Sequence, residues 1–296
     1  MKKYPISVII PVYKNYEMFF RYLKLNKKYL EGCQIIIMND YPQENITQKT
    51  KEILSTAVVY NNKKNLGFAG NVNKGIKKAT EKYVFLMNSD VVLRDDSFKK
   101  SINHFKKNKK LFAVGFAQLE KDGRIVGTNI GYFHNGFIHH QAGNSSISKI
   151  SYNFWADGGA SIFRRDLIIK LGMLDEAFNP FYWEDIDLSY RAWKSGYEII
   201  FDPSILVEHH HESTIGKYFQ QQKILKTAFR NQLFFHWKNL TDKDLLIAHL
   251  LNLPKQIFRP GFFEALIKLP QILKKRKKTI KLFKKTDKEI LNNFHY

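Results

Sequence analysis

Three carboxylates fall within four positions at Glu184, Asp185 and Asp187, directly after the aromatic residues 181–183. On a helix, Glu184 and Asp187 would share one face, and Asp187 would lie four positions before Arg191, with which it can pair. A carboxylate beside aromatic side chains can have its pKa raised toward neutrality by partial burial, which suits a general base. Acids are equally favoured in the first turn of a helix by the helix dipole, so the pattern alone leaves both interpretations open.

Asp90 is a second candidate for chemistry. It follows the apolar residues 83–87 and precedes another apolar run, residues 91–93. A carboxylate there can hold Mg²⁺ or Mn²⁺, cations that take oxygen ligands and keep positions open for phosphate. An Asx turn that ends the strand is the alternative. The apolar run after Asp90 favours the metal site, because a chain that resumes an extended apolar run is not simply turning at the surface.

Three consecutive histidines, His209, His210 and His211, follow the apolar residues 205–207. In a strand, His209 and His211 point to one face and His210 to the other, so at most two of them can meet one ion. Imidazole is a common ligand of transition metals, and a metal or phosphate contact is favoured here over a chance surface cluster. The sequence does not decide which of the three faces the site.

Residues 65–75 combine glycines with side-chain amides before and into a predicted helix. Glycine lets the backbone approach a ligand closely, and a helix N-terminus favours negative charge, so the segment suits a nucleotide or a phosphate. The spacing of Gly67 and Gly70 lacks the leading Gly-x-Gly of the dinucleotide-binding pattern. The two glycines could instead only shape a loop.

These residues need a scaffold that brings them together. Continuous apolar runs predict buried parallel strands at residues 6–10, 35–38, 57–60 and 83–87, and amphipathic spacing predicts helices at 16–30, 47–54 and 70–80. This alternation predicts an α/β fold with a mostly parallel sheet. In such sheets ligands bind beyond the carboxyl ends of the strands, so we expect one crevice to collect the polar and aromatic residues that follow the strands.

The rest of the chain differs in character. Residues 111–152 predict short antiparallel strands and loops, and from about residue 217 the pattern becomes helical, with interruptions at Pro254, Pro260 and Pro270. The net charge is +21. Residues 254–288 contain 12 Lys and Arg but only Glu264 and Asp287 as acids, so 12 − 2 places +10 in this segment. Its mixture of aliphatic, aromatic and basic residues predicts association with an anionic membrane surface, against the alternative of a solvated basic tail.

Composition limits the cellular context. A single cysteine, Cys33, cannot form an internal disulfide, and a secretory leader or an apolar run of membrane-spanning length is not visible. We therefore expect a cytoplasmic protein bound peripherally to the inner face of the cytoplasmic membrane. The positive charge also suits a nucleic-acid-binding protein, but nucleic-acid grooves repel carboxylates, so the acids at 184–187 and Asp90 argue against a nucleic-acid partner.

Motifs follow one another along the chain in the order PVYKN, IIIMND, NLGFAGNVNKG, LMNSDVV, DGGASIFRR, GMLDEAF, FYWEDIDLSYR and VEHHHES. In this order they resemble the family 2 glycosyltransferases, particularly the rhamnosyltransferase-like branch of bacterial surface polysaccharide synthesis, and the match spans about residues 5–235. The resemblance implies a GT-A fold, that is, a Rossmann-like, mostly parallel mixed sheet flanked by helices, over residues 1–237. A basic, helical, membrane-associating extension would occupy residues 238–296. It also implies a nucleoside-diphosphate-sugar donor, with UDP- or dTDP-sugars favoured, a Mg²⁺ or Mn²⁺ cofactor and a glycan or lipid-linked glycan acceptor.

The resemblance assigns roles residue by residue. Asp185 matches the catalytic base, with Glu184 beside it, and Asp90 with His209 matches the metal site. Asn88 stands where the family's Asp-x-Asp metal motif has its first acid. The implied nucleotide-sugar-binding residues are Pro11, Tyr13, Asp40, Asn65, Gly67, Gly70, Asn71, Asn88, Ser89 and Asp90. The implied acceptor-binding residues are Trp155, Asp157, Gly158 and Trp183.

The resemblance implies an inverting, metal-dependent glycosyltransferase of cell-surface polysaccharide, lipopolysaccharide or capsule synthesis. Two alternatives to this function stay open. One is a sugar nucleotidyltransferase, which would consume a nucleoside triphosphate. The other is the basic nucleic-acid-binding protein. For both tryptophans, core packing is as consistent with the sequence as stacking on a sugar.

Overall fold

The computed structural model describes residues 2–143, 148–209 and 218–294. The sheet-forming strands of the first half are β1 (Ile6–Val12), β2 (Gln34–Asn39), β3 (Val58–Asn61), β4 (Tyr83–Met87), β5 (Val91–Leu93), β6 (Leu111–Leu119) and β7 (Ile125–Val126). They are followed by β8 (Asn129–His134), β9 (Phe137–Ala142), β10 (Ser151–Tyr152), β11 (Ala160–Arg164) and β12 (Glu198–His209). The predicted strands are thus confirmed to within two residues at either end.

Ten helices accompany these strands. They are α1 (Tyr16–Asn26), α2 (Thr47–Ile53), α3 (Gly67–Lys78), α4 (Ser101–Lys107), α5 (Arg165–Lys170), α6 (Glu184–Lys194), α7 (Gln221–Asn239), α8 (Lys243–Asn252), α9 (Phe262–Thr279) and α10 (Asp287–Leu291), counted over the described residues. Helix α3 begins at Gly67, three residues earlier than its predicted start. Helix α9 continues through Pro270, where the sequence pattern predicted an interruption. That prediction was wrong, because Pro270 is exposed and water can solvate the carbonyl that proline leaves without a donor.

The main sheet has the strand order β10-β12-β6-β11-β4-β1-β2-β3, with β5 paired to β12 and β7 paired to β6. Four of the seven pairings along this path are parallel: β12 with β6, β4 with β1, β1 with β2, and β2 with β3. Strand β11 is antiparallel to both of its neighbours. The expected α/β fold with a mostly parallel, mixed sheet and flanking helices is confirmed. A separate hairpin, β8–β9, lies outside this sheet.

Each face of the sheet carries its own apolar core. On the central strands, Ile9 and Leu86 face one core while Ile10 and Phe85 face the other, as the twofold side-chain period of a strand requires. The first of these cores extends into the C-terminal region, where Ile272 and other residues pack with Trp193 of α6. The basic C-terminal region is helical, as predicted, and its helices share a core with the sheet.

Helix α7 crosses residue 237, at which the sequence-based division of the chain was placed, so that division falls inside a helix. No helix of the described residues is long and apolar enough to cross a membrane.

Candidate active site

A cavity of about 330 Å³ opens beyond the carboxyl ends of β1, β2 and β4. It is lined by Pro11, Val12, Tyr13, Asp40, Asn65, Gly67, Phe68, Asn71, Asn88, Ser89, Asp90, Asp157, Gly158, Gly159, Pro180, Phe181, Tyr182, Glu184, Asp185, His209 and Phe219. All of the predicted site residues except Gly70, Trp155 and Trp183 are therefore brought together in one place. The sheet does this because parallel strands end at one edge, so the residues after them converge.

Asp40 organises one side of this cavity. Its carboxylate accepts hydrogen bonds from the Leu66 N–H, at 2.9 and 3.0 Å, and from the Asn62 amide at 2.8 Å. Burial raises the pKa of Asp40, although these hydrogen bonds oppose the shift. Asn62 also donates to Asn71 in α3, so the polar network fixes the N-terminus of this helix against the end of β2.

Gly67 begins α3 in the left-handed region, with φ +71°. A Cβ at this position would lie 2.7 Å from the side chain of Asn179, which a larger residue could not accept. Gly70 is buried in α3 with its α-carbon near Leu66 and Glu176, and it does not line the cavity. The first glycine thus shapes the cavity, whereas the second serves helix packing.

Tyr13 forms an aromatic rim with Tyr41 and Tyr218. Its ring makes edge-on contacts with theirs, at centroid separations of 5.9 and 6.3 Å. The ammonium group of Lys14 lies 4.8–5.4 Å from the centroids of all three rings, which is within cation–π range. The rim is an aromatic, positively charged edge suited to a planar ring and an attached phosphate.

Asp90 and His209 form the acidic and basic pair on the opposite wall. His209 Nε2 lies 3.2 Å from Asp90 Oδ1, and His209 Nδ1 lies 2.5 Å from Gln118 Oε1. Burial alone would lower the pKa of His209, but hydrogen bonding to Asp90 and the nearby negative charges outweigh it and raise the pKa. Strand β12 presents His209 here because it pairs with β5, directly after Asp90. His210 and His211 lie outside the described residues.

One carboxylate and one imidazole fit a divalent cation that fills its remaining positions with phosphate oxygens and water. Among the described residues, groups of three or more His, Cys, Asp and Glu side chains with metal-site geometry are absent. Asn88 supplies no charge, and its amide lies against Gly159, where a Cβ would come within 2.3 Å of it. Within the described residues, Asp90 and His209 are therefore the side chains that could hold a cation here.

Asp185 lies in the first turn of α6, partly exposed to the cavity. Oδ1 accepts from its neighbour Ile186 N–H at 2.8 Å and Oδ2 accepts from Gly158 N–H at 3.2 Å. These contacts leave lone pairs on both oxygens free to accept a further proton. Burial, assisted by the negative charge of Asp157, raises the pKa of Asp185 to about 7. A carboxylate poised in this way can accept a proton at neutral pH.

Glu184 is 7% exposed, and its Oε2 has no hydrogen-bond partner among the described residues. Burial and the adjacent charge of Asp185 raise its pKa well above the ordinary value. A protonated Glu184 can donate a hydrogen bond, which its ionised neighbour cannot. Burial therefore favours the protonated form of Glu184, which can donate a hydrogen bond.

The segment before α6 is strained. Tyr182 and Trp183 both have positive φ values, 71° and 75°, which are unfavourable for side chains of this size. The fully buried Asn231 in α7 donates to the carbonyls of Phe178, Phe181 and Tyr182 at 2.6–2.9 Å. A single amide thus holds the turn that aims Glu184 and Asp185 into the cavity, and strain of this kind is common at active sites.

Asp187 points away from the cavity into the core and is fully buried. It pairs with Arg191 at 2.8 Å, as its spacing predicted, and with Lys238 at 2.9 Å. Lys238 also binds Asp175 at 2.6 Å. The third acid of the predicted cluster is therefore structural, and it ties α6 to α7.

The sequence and the fold of the chain are similar to those of known proteins. The model of the family described as glycosyl transferase family 2 matches residues 7–172, which is more than half of the chain. The chain belongs to glycosyl transferase family 2. The matched residues include the strands that deliver Asp40 and Asp90 to the cavity.

Curated relatives of this family 2 protein include poly-β-1,6-N-acetyl-D-glucosamine synthases. The protein of Staphylococcus epidermidis is 28% identical over 205 residues, which cover 64% of this chain and 45% of the relative. That of Staphylococcus aureus is 25% identical over 207 residues, covering 68% of this chain and 47% of the relative. The chain thus spans about half the length of these relatives. The resemblance to the rhamnosyltransferase-like branch stays a prediction.

Solved glycosyltransferase structures share the fold. GalNAc-T7, crystallised with UDP, GalNAc and Mn²⁺, superposes with a TM-score of 0.69 at 14% identity, covering 97% of this chain and 56% of that one. The mannosyltransferase PcManGT from Pyrobaculum calidifontis, in complex with GDP-Man and Mn²⁺, gives a TM-score of 0.52 at 13% identity over 94% of this chain and 74% of that one. The expected GT-A fold is confirmed.

The two tryptophans predicted to bind the acceptor do not line the active-site cavity of this family 2 enzyme. Trp183 is 6% exposed and packs against Phe235, while Trp155 packs at the edge of the same core. Both rings make edge-on contacts with His140, each at a centroid distance of 5.0 Å. Core packing, the alternative interpretation of these residues, accounts for their positions.

Several residues of the cavity were not assigned in advance. Phe68 borders the cavity, where its ring would come 3.3 Å from a Cβ at Gly158. It lies inside the predicted glycine-rich segment, so the sequence signal for that segment could have identified it. Phe181 and Tyr182 stand three and two positions before Glu184, the first of the predicted acids. Phe219 carries no signal in the sequence, because only the tertiary fold brings it to Phe181, at a centroid distance of 4.9 Å.

Proposed function

We propose that this enzyme transfers a sugar, with inversion, from a nucleoside-diphosphate sugar to a hydroxyl group of a glycan acceptor in cell-surface polysaccharide synthesis. The observation that carries the proposal is the juxtaposition, in one cavity, of the partly exposed Asp185, the Asp90–His209 pair and the aromatic and glycine-rich edge at Tyr13 and Gly67. A base, a diphosphate-binding wall and a nucleoside-binding edge are the parts that such a transfer needs.

The donor would lie along the edge formed by β1, β2 and α3. Tyr13 provides a ring for the nucleobase, Asp40 lies by the ribose, and Asn65 and Gly67 lie near the diphosphate at the N-terminus of α3. The GalNAc-T7 and PcManGT structures contain UDP and GDP-Man respectively. We favour UDP- or dTDP-sugars as donors.

Asp185 would take the proton from the acceptor hydroxyl as that oxygen forms its bond to the anomeric carbon. The bond between this carbon and the diphosphate oxygen breaks on the opposite side, and the electron pair leaves with the nucleoside diphosphate. Glu184, whose pKa is raised by burial, would hold a sugar hydroxyl by donating a hydrogen bond in its protonated form. Asp157 and Gly158 form the wall next to Asp185 on the acceptor side.

Asp90 and His209 would hold a divalent cation, Mg²⁺ or Mn²⁺. Such a cation neutralises the charge that develops on a departing diphosphate. Both similar glycosyltransferase structures contain Mn²⁺.

Replacing Asp90 with alanine tests the donor and metal sites together. In a thermal-shift experiment, we expect UDP or dTDP to raise the melting temperature of the wild-type protein more in Mn²⁺ than in chelator, because a ligand that binds only the native state stabilises it. Asp90→Ala should abolish the Mn²⁺-dependent part of this shift. Asp96→Ala, which alters an exposed acid close by in the chain, is the control. Equal Mn²⁺-dependent shifts in both variants would rule out Asp90 as a metal ligand.

The pH dependence of turnover tests the base. Because the pKa of Asp185 is raised to about 7, its basic form is lost as the pH falls below that value. We expect kcat/KM to fall about tenfold per pH unit below about pH 7 and to level off above it. A profile that stays flat from about pH 5 to 8 would exclude Asp185 as the base.

The acceptor and its location are inferred from the relatives and the surface. The staphylococcal relatives are polysaccharide synthases, which supports a glycan acceptor. Helix α8 exposes Ile247, Leu250 and Leu251, and α9 exposes Phe263, Leu266 and Ile267, each set spaced three and four residues apart on one helix face. Phe258, in the turn between the helices, is 96% exposed.

We define these seven residues as the apolar surface. Lysine and arginine residues of the +10 segment accompany it, and this combination is typical of protein segments that lie in the interface of an anionic bilayer. The inferred location is the inner face of the cytoplasmic membrane, where a lipid-linked glycan acceptor would be accessible.

Substituting two residues of the apolar surface tests the membrane contact. The double variant Phe258→Ser, Ile267→Ser should bind anionic phosphatidylglycerol vesicles at least about tenfold more weakly, since burial of two large apolar side chains in the interface is lost. Both side chains are solvated, so folding should be unchanged. The paired control is Ile150→Ser, Ile169→Ser, which removes exposed apolar side chains outside the C-terminal region. Vesicle sedimentation that gives the same affinity for both double variants would refute this contact surface.

A further inference from the structure

A second cavity, of about 230 Å³, lies between the β8–β9 hairpin, helix α7 and the turn before α9. Its polar lining consists of His139, His140, Gln232 and Arg259. Its apolar lining consists of Trp183, Leu225, Ala228 and Phe229. It is separate from the active-site cavity, with which it shares no lining residue.

The lining of this cavity carries positive charge without a matching acid. The guanidinium group of Arg259 lies 3.9 Å from the ring centroid of Phe229, and its recorded hydrogen bond, to Gln256 Oε1, is long at 3.3 Å. Within the described residues no carboxylate pairs with Arg259. The nearby Glu264 is already paired with Lys226 and Arg230. An arginine held on an aromatic face, with donors left beyond its one hydrogen bond to Gln256, is suited to a phosphate group.

The histidines add hydrogen-bonding capacity beside Arg259. Burial lowers the pKa of His139, and the positive charge of Arg259 lowers it further, which places the two groups close together. Burial lowers the pKa of His140 to about 4. Both rings are neutral at physiological pH, so each carries one N–H. The N–H of His139 lies on Nε2 and donates to the His134 carbonyl at 3.3 Å, so of the two rings only His140 can donate to an anion, while Arg259 supplies the charge.

Residues that line the second cavity are adjacent in the chain to residues of the proposed active site and of the apolar surface. Trp183, which forms its inner wall, is directly followed by Glu184 of the active-site cavity. On the outer side, Leu225 is 56% exposed, and Arg259 is directly preceded by Phe258 of the apolar surface. A lipid phosphate held at Arg259 would thus have its hydrocarbon chain beside Phe258 of the apolar surface and its attached group on the side of Trp183, the chain neighbour of Glu184.

We propose that the second cavity binds the phosphate group of a lipid-borne acceptor, a phosphate ester of a long-chain lipid alcohol, and so directs the attached sugar toward Asp185. This inference rests on the proposed function, because it assigns to that reaction an acceptor carried on a lipid phosphate. Binding of ordinary anionic phospholipid at the same position would contradict it, since such a lipid presents no sugar to the base.

A vesicle-binding experiment distinguishes these two sources of phosphate. One set of phosphatidylcholine vesicles carries polyprenyl phosphate, and the other carries phosphatidylglycerol at equal surface charge. We expect the full chain to bind the polyprenyl-phosphate vesicles more tightly, and Arg259→Gln to weaken this binding about tenfold, because one charge-assisted contact is lost. Arg259→Lys, which keeps the charge but not the fork, should recover only part of the affinity.

Lys255→Gln is the matched control, since Lys255 is an exposed cation four residues before Arg259. It should weaken binding to both sets of vesicles equally and only slightly. Two results would overturn the proposal by showing that the second cavity has no specific phosphate site. In the first, Arg259→Gln and Lys255→Gln weaken binding to the same extent on both sets of vesicles. In the second, the wild-type protein binds the two sets of vesicles equally.

The Arg259 variants also distinguish failure of the phosphate site from failure of the proposed function. Arg259→Gln should retain the Mn²⁺-dependent thermal shift with UDP or dTDP, because Arg259 lies outside the active-site cavity. A normal nucleotide shift without lipid selectivity would overturn the phosphate site alone. The absence of any nucleotide shift in the wild-type protein would overturn the proposed function itself, whatever the vesicles show.

Discussion

Replacing Asp185 with asparagine should lower the rate of sugar transfer by about 10²- to 10⁴-fold, the usual contribution of a general base. Asparagine is nearly the same size and can keep its position beside the Gly158 and Ile186 backbone, but its amide cannot take the acceptor proton. Nucleotide binding should persist, because Asp185 lies on the acceptor side of the cavity. Turnover with saturating donor and acceptor, measured beside the nucleotide thermal shift, checks both expectations.

The same variant should be more stable than the wild-type protein at alkaline pH. The folded-state pKa of Asp185, about 7, lies above its ordinary value of 3.8, so the protein loses stability through this group as the pH rises from about 4 to 7. Asp185→Asn removes this loss and should raise the melting temperature above pH 7. Asp244→Asn, at an exposed acid paired with Lys288, is the control and should leave turnover unchanged. A variant at Asp185 with normal turnover would refute the base assignment.

Replacing Lys238 with alanine should lower the free energy of unfolding by about 3 kcal/mol. The ammonium group of Lys238 is almost fully buried between Asp175 and Asp187, at 2.6 and 2.9 Å, and its removal leaves buried negative charge less compensated. Both acids retain one cationic partner, Lys275 and Arg191 respectively, which limits the loss. Urea denaturation measures this change.

Lys288→Ala provides the matched comparison for that experiment. Lys288 and Asp244 form an ion pair at 2.6 Å in which both side chains are exposed, and solvent screening leaves such pairs with little effect on stability. Lys238→Ala should also lower turnover, because Asp187 anchors the helix that begins with Glu184 and Asp185. Equal losses of stability in the two variants would show that the buried network does not hold α6.

The central strands and most of the cavity could be predicted because their causes are local. Residues 6–10 are apolar except for Ser7 and residues 83–87 are apolar throughout, a pattern typical of a strand buried on both faces. The ends of parallel strands meet at one edge, so Tyr13, Asp40 and Asp90 had to be neighbours. The pairing of Asp187 with Arg191 likewise followed from helical spacing alone.

The parts that were not predictable depend on contacts between distant segments. Trp155 and Trp183 were assigned to the acceptor site because indole rings stack well on sugars, but their orientation is decided by His140 and the helical core, which the sequence does not display. Asn231 looks like an ordinary polar residue of a helix, although it holds three carbonyls some fifty positions earlier. Helix α9 passes through Pro270 because this position faces solvent.

The most direct test of the account is turnover of sugar nucleotides by the purified full chain with Mn²⁺ or Mg²⁺. We predict that one UDP- or dTDP-sugar releases its nucleoside diphosphate in a cation-dependent reaction, and that Asp185→Asn greatly slows this release. The contradictory result is that no sugar nucleotide is consumed, whereas a nucleoside triphosphate and a sugar phosphate yield pyrophosphate. That outcome would identify a nucleotidyltransferase built on the same fold.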